Sequence, residues 1–245
     1  MVRFLSLLLV GLIALVVLRP QPAPDRTILF IGNSFTFKHD VPGMVQRIAA
    51  TSDTPVRYEV HMHVRGGTAL YEHLKETDPI ASIQSRDWDV VVLQDASAMA
   101  FHPSYVDLME DATATLASAA KTQGADILYY AHWAPAQERQ NETRAVRQIE
   151  RAYEEISRQT GGDVAHAGRL WDAAKRAGIS GLYAADDHHA SPKGAYAAAL
   201  AIVASLGDVD PASSRWAPKD VSSTDQAHLT RLLAHLGGPR RIALD

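Results

Sequence analysis

The 245-residue sequence contains no cysteine. Disulfides, thiolate metal sites and a cysteine nucleophile are therefore excluded, and any nucleophile must be an oxygen or a nitrogen atom. The sequence also lacks a basic stripe: 24 Lys and Arg residues, scattered along the chain, stand against 28 Asp and Glu residues and give a net charge of −4. This distribution leaves no electrostatic footprint for nucleic acid, so we expect no nucleic-acid partner.

The middle of the chain has no stretch with the composition of a linker. Hydrophobic residues make up 47% of the sequence, which is enough to bury one substantial core. We therefore predict a single folded domain over residues 25–245, preceded by a separate segment over residues 1–24.

The first 24 residues differ in composition from the rest. Arg3 is followed by an apolar stretch, residues 4–18, and then by a proline-rich neck. A basic start before an apolar stretch shorter than the ~20 residues of a membrane span is typical of a signal peptide. No small-x-small cleavage site follows, because Arg19 and prolines occupy its place, so an uncleaved membrane tether is an equal alternative. Both alternatives predict an extracytoplasmic protein, periplasmic or secreted.

Short apolar runs alternate with helical patterns after the neck. The runs predict strands that are buried on both faces, at residues 27–31, 56–60, 90–93 and 127–130. N-cap, proline and glycine signals predict helices after Asp40, from Ser104 to about Gly124, up to Gly161, from Ser191 to Gly207, and over residues 222–236. This alternation predicts a three-layer α/β fold with a mostly parallel sheet.

Two polar segments far apart in the chain carry the chemistry. Residues 32–35, Gly-Asn-Ser-Phe, directly follow the first predicted strand, and residues 186–189, Asp-Asp-His-His, precede an alanine-rich helix. A serine after a strand is more often a turn or cap residue, and an acidic, histidine-rich loop is more often a solvated turn or a metal site. Together, however, the segments supply every member of a Ser-His-Asp system in the chain order Ser, Asp, His.

Polar residues also follow the third and fourth predicted strands. These are the Gln94-Asp95 pair and the His132-Trp133 pair. Because reactive groups of open α/β sheets gather outside the carboxyl ends of the strands, we expect both pairs to lie on the same rim as Ser34.

The two segments resemble sequence blocks of the SGNH (GDSL-type) hydrolases. Residues 31–35 match the first block, and Asp186-x-x-His189-x-Ser191-x-x-Gly194 matches the last; the resemblance spans residues 27 to about 206. It implies a flavodoxin-like α/β/α sandwich and ester hydrolysis through an acyl-serine intermediate. Neither a cofactor nor a metal is needed for such a reaction.

The resemblance assigns the catalytic roles residue by residue. Ser34 is the expected nucleophile, His189 the base and Asp186 the residue that orients the imidazole. His189 is favoured over His188 because only His189 lies three residues after Asp186 and five before Gly194.

The family's oxyanion hole matches this chain less closely. Its backbone donors would be the N–H groups of Ser34 and of a second-block glycine, for which we choose Gly67 of the Gly66-Gly67 pair over a plain flexible turn. The family's third block reads Gly-x-Asn-Asp, but residues 92–95 read Val-Leu-Gln-Asp. Gln94 is therefore the candidate third donor, with a surface glutamine as an equal alternative. Asn33 replaces the usual aspartate and is expected to keep a structural hydrogen bond.

Several histidines and one tryptophan have two interpretations each. His132 and Trp133 either wall an acyl or sugar pocket or, in the case of Trp133, pack in the core. His61 and His63 alternate along a strand and share a face, so they are either a metal pair or, as we favour, partly exposed strand residues.

The sequence thus predicts an exported serine esterase that acts on carboxylic esters. The first choice of substrate is an O-acetyl group on cell-envelope or environmental polysaccharide, followed by lipid or small-molecule esters. Three alternatives stay open: a polysaccharide O-acetyltransferase with the same triad, a non-catalytic carbohydrate-binding domain with a degraded site, and a metal-dependent hydrolase built on residues 186–189.

Overall fold

The computed structural model describes residues 23–236. The apolar stretch predicted to be a signal peptide or a tether, residues 4–18, lies outside this described part. Among the described residues, no helix combines the length and the apolar character that crossing a membrane requires.

Strands and helices alternate along the described chain. The five strands are β1 (Arg26–Gly32), β2 (Tyr58–Val64), β3 (Val90–Leu93), β4 (Asp126–Tyr130) and β5 (Asp163–Ala165). The α-helices are α1 (Ser34–Phe37), α2 (Val41–Ala50), α3 (Leu70–Glu76), α4 (Pro79–Gln84), α5 (Pro103–Thr122), α6 (Glu142–Thr160), α7 (Ala167–Arg176), α8 (Pro192–Leu206) and α9 (Ser223–His235). Every strand pair is parallel, and the order across the sheet is β2-β1-β3-β4-β5.

Helices cover both faces of the sheet. Ile28 and Phe30 of β1 face one side, where α2, α7, α8 and α9 pack, and Leu29 and Ile31 face the other, where α3 to α6 pack. All four side chains are buried. The structure therefore confirms the three-layer sandwich, and burial on both faces explains why β1, β3 and β4 have nearly continuous apolar sequences.

Strand β2 departs from its prediction in length and position. It was expected at residues 56–60 and runs instead from Tyr58 to Val64, paired with β1 over its whole length. Because β2 is an edge strand with partly exposed residues, His61 and His63 extend the ladder beyond the apolar run that marked it. The elements α1, α3, α4, β5 and α7 were not predicted.

The predicted helix starts hold at three positions and fail at one. Side chains of Asp40, Ser191 and Ser222 accept hydrogen bonds from backbone N–H groups three residues later, at 3.0–3.1 Å. The helix start predicted at Ser104 is wrong, because α5 starts at Pro103 and its N-cap, His102, makes no side-chain cap bond. A proline at the first helical position is enough to start the helix there.

The strand order places a crevice beside β1. The chain leaves β1 for the edge strand β2 and then crosses to β3 on the other side of β1. In such sheets, the crevice opens outside the carboxyl ends of the strands where the order reverses. Ser34 follows β1 and Gln94 follows β3, so both border this crevice.

Candidate active site

Ser34, His189 and Asp186 form a continuous chain of hydrogen bonds. His189 Nδ1 lies 2.7 Å from Asp186 Oδ2, and His189 Nε2 lies 2.9 Å from Ser34 Oγ. Because a carboxylate only accepts, Nδ1 carries the ring hydrogen and Nε2 is free to accept from the serine hydroxyl. The structure therefore brings together the three residues predicted from the two segments, in the geometry of a nucleophile, a base and an orienting acid.

The loop that carries Asp186 and His189 is tightly ordered around the carboxylate. Asp186 Oδ1 accepts the backbone N–H groups of His188 at 3.1 Å and His189 at 2.9 Å. The His189 side chain, followed by these backbone N–H groups, holds the pKa of Asp186 well below its usual range. Asp186 therefore stays ionised at neutral pH, and its side chain is 46% exposed.

Trp133 packs against this loop and is hydrogen-bonded to it. Its Nε1–H donates to the His188 carbonyl at 3.0 Å, and its ring stacks between Phe35 at 4.4 Å and Trp171 at 4.3 Å. Trp133 is fully buried, and its neighbour His132 is 2% exposed. The pocket-wall interpretation of these two residues is therefore wrong for this structure, because buried rings offer no surface to a substrate.

Burial also keeps His132 uncharged. Its Nδ1–H donates to the Trp133 carbonyl at 2.8 Å, but burial, as the dominant effect, lowers the pKa of His132 to about 4 from an ordinary value of 6.5. Between these values the unfolded chain binds more protons than the folded protein, so stability falls as the pH falls through this window.

We therefore expect acid destabilisation that depends on His132. A shift of this size is worth about 3 kcal/mol once the pH is below the folded-state pKa. His132→Asn keeps a donor near the Nδ1 position and removes the titration. Denaturant unfolding at pH 7 and 4.5 should show a smaller loss of unfolding free energy for the variant than for the wild type. Equal losses would contradict the assignment.

The turn that presents Ser34, residues 33–36, is called the nucleophile turn because Ser34 is the predicted nucleophile. It is held by the side chain of Asn33. Asn33 Oδ1 accepts from Phe35 N–H at 3.0 Å, and Asn33 Nδ2 donates to the Thr68 carbonyl at 3.2 Å. The predicted structural role of this amide is therefore confirmed. The second bond also ties the nucleophile turn to the loop that contains Gly66 and Gly67.

Gln94 does not have the orientation of an oxyanion donor. Its side chain is fully buried, and its Nε2 donates to the Asp95 carbonyl. Its Oε1 accepts from Asn33 N–H at 3.1 Å and from Thr36 Oγ1 at 2.8 Å. Both ends of the amide are thus engaged inside the protein, which corrects the prediction that Gln94 is the third donor. Gln94 instead anchors the nucleophile turn to the end of β3.

Gly32 makes room for this anchor. A Cβ atom at Gly32 would lie 2.7 Å from Gln94 Oε1 and 2.6 Å from Thr36 Oγ1, closer than real Cβ contacts allow. The glycine that precedes Asn33 is therefore required by the approach of Gln94 rather than by backbone conformation.

The glycine pair lies beside the nucleophile turn. Gly67 has a φ of +72°, and a Cβ built on Gly66 would lie 3.7 Å from the Phe37 ring. Among the described residues, neither the Gly67 N–H nor the Ser34 N–H donates to a protein acceptor. Both backbone donors assigned to the oxyanion hole are therefore available to a ligand.

Asp95 fixes the helix that follows these glycines. Its Oδ1 accepts from Leu70 N–H, at the start of α3, at 2.8 Å and from Ala96 N–H at 2.7 Å. Burial raises the pKa of Asp95 to about 6. This carboxyl thereby joins the end of β3 to the segment that carries Gly67.

The histidine pair on β2 does not share one ligand. His61 Nε2 lies 2.7 Å from Glu59 Oε1, whereas both ring nitrogens of His63 contact hydroxyls, Ser82 Oγ at 2.7 Å and Thr77 Oγ1 at 2.8 Å. The metal-pair interpretation is therefore wrong for this structure. Within the described ranges, the residues that could converge on a cation are Glu150, Glu154 and His166, not residues 186–189.

The likeness of this chain to known proteins is found among solved structures. No protein-family model and no curated protein matches the sequence. A solved structure from Slackia heliotrinireducens, described as a candidate SGNH hydrolase, is 29% identical with a TM-score of 0.61, over 73% of this chain and 97% of that one. The chain has the SGNH hydrolase fold. The resemblance inferred from the two sequence blocks is thereby confirmed.

More distant structures share the same fold. A DUF4886 family protein from Bacteroides uniformis is 15% identical, with a TM-score of 0.69 over 86% of this chain and 93% of that one. The acetylxylan esterase Axe2 from Geobacillus stearothermophilus is also 15% identical, with a TM-score of 0.55 over 74% of this chain and 92% of that one. Both likenesses are of fold.

Proposed function

We propose that this protein is a serine esterase that works through an acyl-Ser34 intermediate. The observation that carries the proposal is the pair of short hydrogen bonds that joins Ser34 Oγ to His189 and His189 to Asp186. In a degraded, non-catalytic site, no function would maintain a serine, an imidazole and a carboxylate hydrogen-bonded in this order.

Acylation uses the hydrogen bonds as the structure arranges them. Ser34 Oγ attacks the ester carbonyl while His189 Nε2 takes its proton, and Asp186 stabilises the resulting imidazolium. When the tetrahedral intermediate collapses, His189 delivers the proton to the leaving alcohol. The alcohol departs, and the acyl group stays on Ser34.

Deacylation repeats these steps with water. His189 Nε2 takes a proton from water, the water oxygen attacks the acyl carbon, and the proton returns to Ser34 Oγ as the carboxylic acid leaves. In both halves, the N–H groups of Ser34 and Gly67 are the donors we assign to the negatively charged oxygen.

The packing beneath the triad supports a short acyl group. Phe35 is buried, and its ring centre lies 5.8 Å from that of His189. The Phe35 ring stacks on Trp133, which in turn stacks on Trp171. These rings fill the space beneath the proposed catalytic histidine, so we infer that no long acyl chain fits there. An acetyl ester is therefore the substrate we favour, and the acetylxylan esterase of the same fold is consistent with a carbohydrate ester.

A chain-length series tests this proposal. We expect kcat/KM for p-nitrophenyl acetate to exceed that for p-nitrophenyl octanoate by at least about tenfold, because a long chain must displace packed rings or lie in solvent. Acetylated xylo-oligosaccharides should also release acetate. A preference for the octanoate ester would contradict the assigned acyl group, and no turnover of any ester would contradict the function.

The acetyltransferase alternative differs only in the acceptor. The Asp186 side chain is 46% exposed, so water reaches the triad from the loop side, which favours hydrolysis. Adding a sugar acceptor should leave the yield of free acetate unchanged. Transfer of most of the acetyl group to the sugar would favour the transferase.

We further propose that the enzyme works outside the cytoplasm. The support is the basic start and the apolar stretch of residues 4–18, which are typical of an export signal or a tether. An extracytoplasmic site would bring the enzyme to acetylated polysaccharide of the cell envelope or the environment.

A further inference from the structure

A buried histidine contacts the backbone just before the nucleophile. His73 of α3 is 0% exposed, and its Nε2 lies 2.9 Å from the carbonyl oxygen of Gly32, the last residue of β1. Gly32 is two residues from Ser34. A carbonyl oxygen only accepts hydrogen bonds, so His73 Nε2 must carry the hydrogen.

The other ring nitrogen fixes this tautomer. His73 Nδ1 lies 2.7 Å from Thr77 Oγ1, and because a neutral ring with Nε2–H has an acceptor at Nδ1, the threonine hydroxyl is the donor. That hydroxyl has one hydrogen, and Nδ1 is a closer acceptor for it than the His73 carbonyl, which lies at 3.2 Å. Its 2.8 Å contact with His63 then has His63 Nε2–H as the donor. His63 Nδ1 then accepts from the Ser82 hydroxyl at 2.7 Å.

The four side chains therefore form a chain with one direction. Hydrogen bonds run from Ser82 to His63, to Thr77, to His73 and finally to the Gly32 carbonyl. This direction requires both imidazoles to be neutral. Burial lowers the pKa of His73 and of His63, and the ring centres are 5.2 Å apart, so the neutral pair is favoured.

The Gly32 carbonyl lies between two anchors of the nucleophile turn. On one side, Gln94 holds Asn33 N–H and Thr36 Oγ1 from the end of β3. On the other, His73 reaches Gly32 from α3, the helix that directly follows the Gly66-Gly67 loop. Arg65 N–H donates to the same carbonyl oxygen at 3.2 Å, so the turn stays partly held without His73.

We propose that His73 is a positioning residue that fixes, through the Gly32 carbonyl, the backbone carrying Ser34, with its tautomer set by Thr77 and His63. The proposal rests on the esterase function, because the property that His73 controls is the reactivity of Ser34. Errors of about 1 Å in the position of a reacting group are enough to slow catalysis strongly.

The test compares His73→Phe, which keeps a ring of similar shape without a donor, with His73→Gln, whose Nε2 amide restores a donor at similar reach. The rate of Ser34 labelling by a fluorophosphonate probe, kcat and KM for p-nitrophenyl acetate, and Tm are measured for each protein. His61→Gln is the matched control, because His61 lies on the same strand as His63 but contacts Glu59 and Arg86.

We expect His73→Phe to lower the labelling rate and kcat by about tenfold at nearly constant KM, because the attack geometry is lost while substrate binding is kept. His73→Gln should recover most of this loss, and His61→Gln should match the wild type. A purely structural role would lower Tm without this split between kcat and KM and without rescue by glutamine.

Two results would overturn the proposal while the esterase function stands: wild-type labelling in His73→Phe, or equal loss in His73→Phe and His73→Gln.

If His73→Phe does not fold, a second variant tests the proposal. Thr77→Val leaves the imidazole in place and removes the hydroxyl that sets its tautomer. A two- to threefold fall in the labelling rate is then expected, because the hydrogen at Nε2 of His73 is no longer enforced. Wild-type labelling in Thr77→Val would overturn the proposal. A wild-type protein inert to the probe and to every ester would instead overturn the function and the proposal together.

Discussion

Replacing Ser34 or His189 by alanine should lower kcat for p-nitrophenyl acetate by a factor on the order of 10⁴ or more. Ser34→Ala removes the proposed nucleophilic oxygen, and His189→Ala removes the proposed base 2.9 Å from it. The two losses should be similar, and the double variant should lose little more, because residues of one catalytic unit fail together.

The matched control for this prediction is the adjacent histidine. His188 supplies its backbone N–H to Asp186 and its carbonyl to Trp133, and both contacts survive replacement of its side chain. Its ring lies 5.0 Å from Phe35, so His188→Ala should cost packing and lower kcat by less than about tenfold. Equal losses for His188→Ala and His189→Ala would contradict the assignment of the base.

Replacing Gln94 should damage both stability and catalysis. Gln94→Met keeps the length of the side chain but leaves Asn33 N–H, Thr36 Oγ1 and the Asp95 carbonyl without their buried partner. Unsatisfied buried groups cost about 1–3 kcal/mol each, so the free energy of unfolding should fall by about 2–4 kcal/mol once relaxation is allowed. Because the released turn carries Ser34, kcat should fall by about a hundredfold.

The pairing of these two losses distinguishes an anchor from an oxyanion donor. A donor aimed at the transition state would lower kcat and leave the unfolding free energy unchanged. Gln46→Met is the control. Among the described residues, the Gln46 side chain makes one hydrogen bond, from Nε2 to the Tyr58 carbonyl at 2.8 Å, so its loss should cost less than about 1 kcal/mol. A Gln94→Met protein with wild-type stability and reduced kcat would restore the donor role.

The sequence was sufficient to predict that Ser34, Asp186 and His189 come together, because its signals are local. Asp186 and His189 belong to one short loop in which the orienting bond joins residues three apart, and Ser191 caps the next helix. Ser34 lies two residues after Gly32, the end of the apolar strand β1. The order of these segments then places them on one rim of a parallel sheet.

The residues that hold Ser34, Asp186 and His189 in position could not be predicted in the same way. Gln94 was assigned a donor role from its place in a block, but the direction of its amide is set by Asn33 and Thr36, about 60 residues away in the chain. His73 gave no signal, because its partner Gly32 is 41 residues distant and meets it only in the folded protein. Trp133 was open to two interpretations until its burial beneath the histidine loop decided for packing.

Local sequence patterns predicted part of the fold, and contacts between distant segments determine the rest. Strands β1, β3 and β4 have apolar runs because both of their faces are covered. Strand β5 has three residues and gave too short a pattern to detect. Its pairing with β4 over Leu128–Tyr130 is a tertiary effect, so no periodicity in residues 163–165 could reveal it.

The role of Ser34 as the nucleophile is tested by the reaction of the intact protein with a fluorophosphonate probe, followed by mass spectrometry of the labelled peptide. The probe needs a serine activated by a neighbouring base. We expect a single adduct on Ser34 in the wild type, no adduct in Ser34→Ala, and an adduct in His189→Ala that forms more slowly by orders of magnitude. An unlabelled wild-type protein, or a label on another residue that persists in Ser34→Ala, would contradict the claim that Ser34 is the nucleophile.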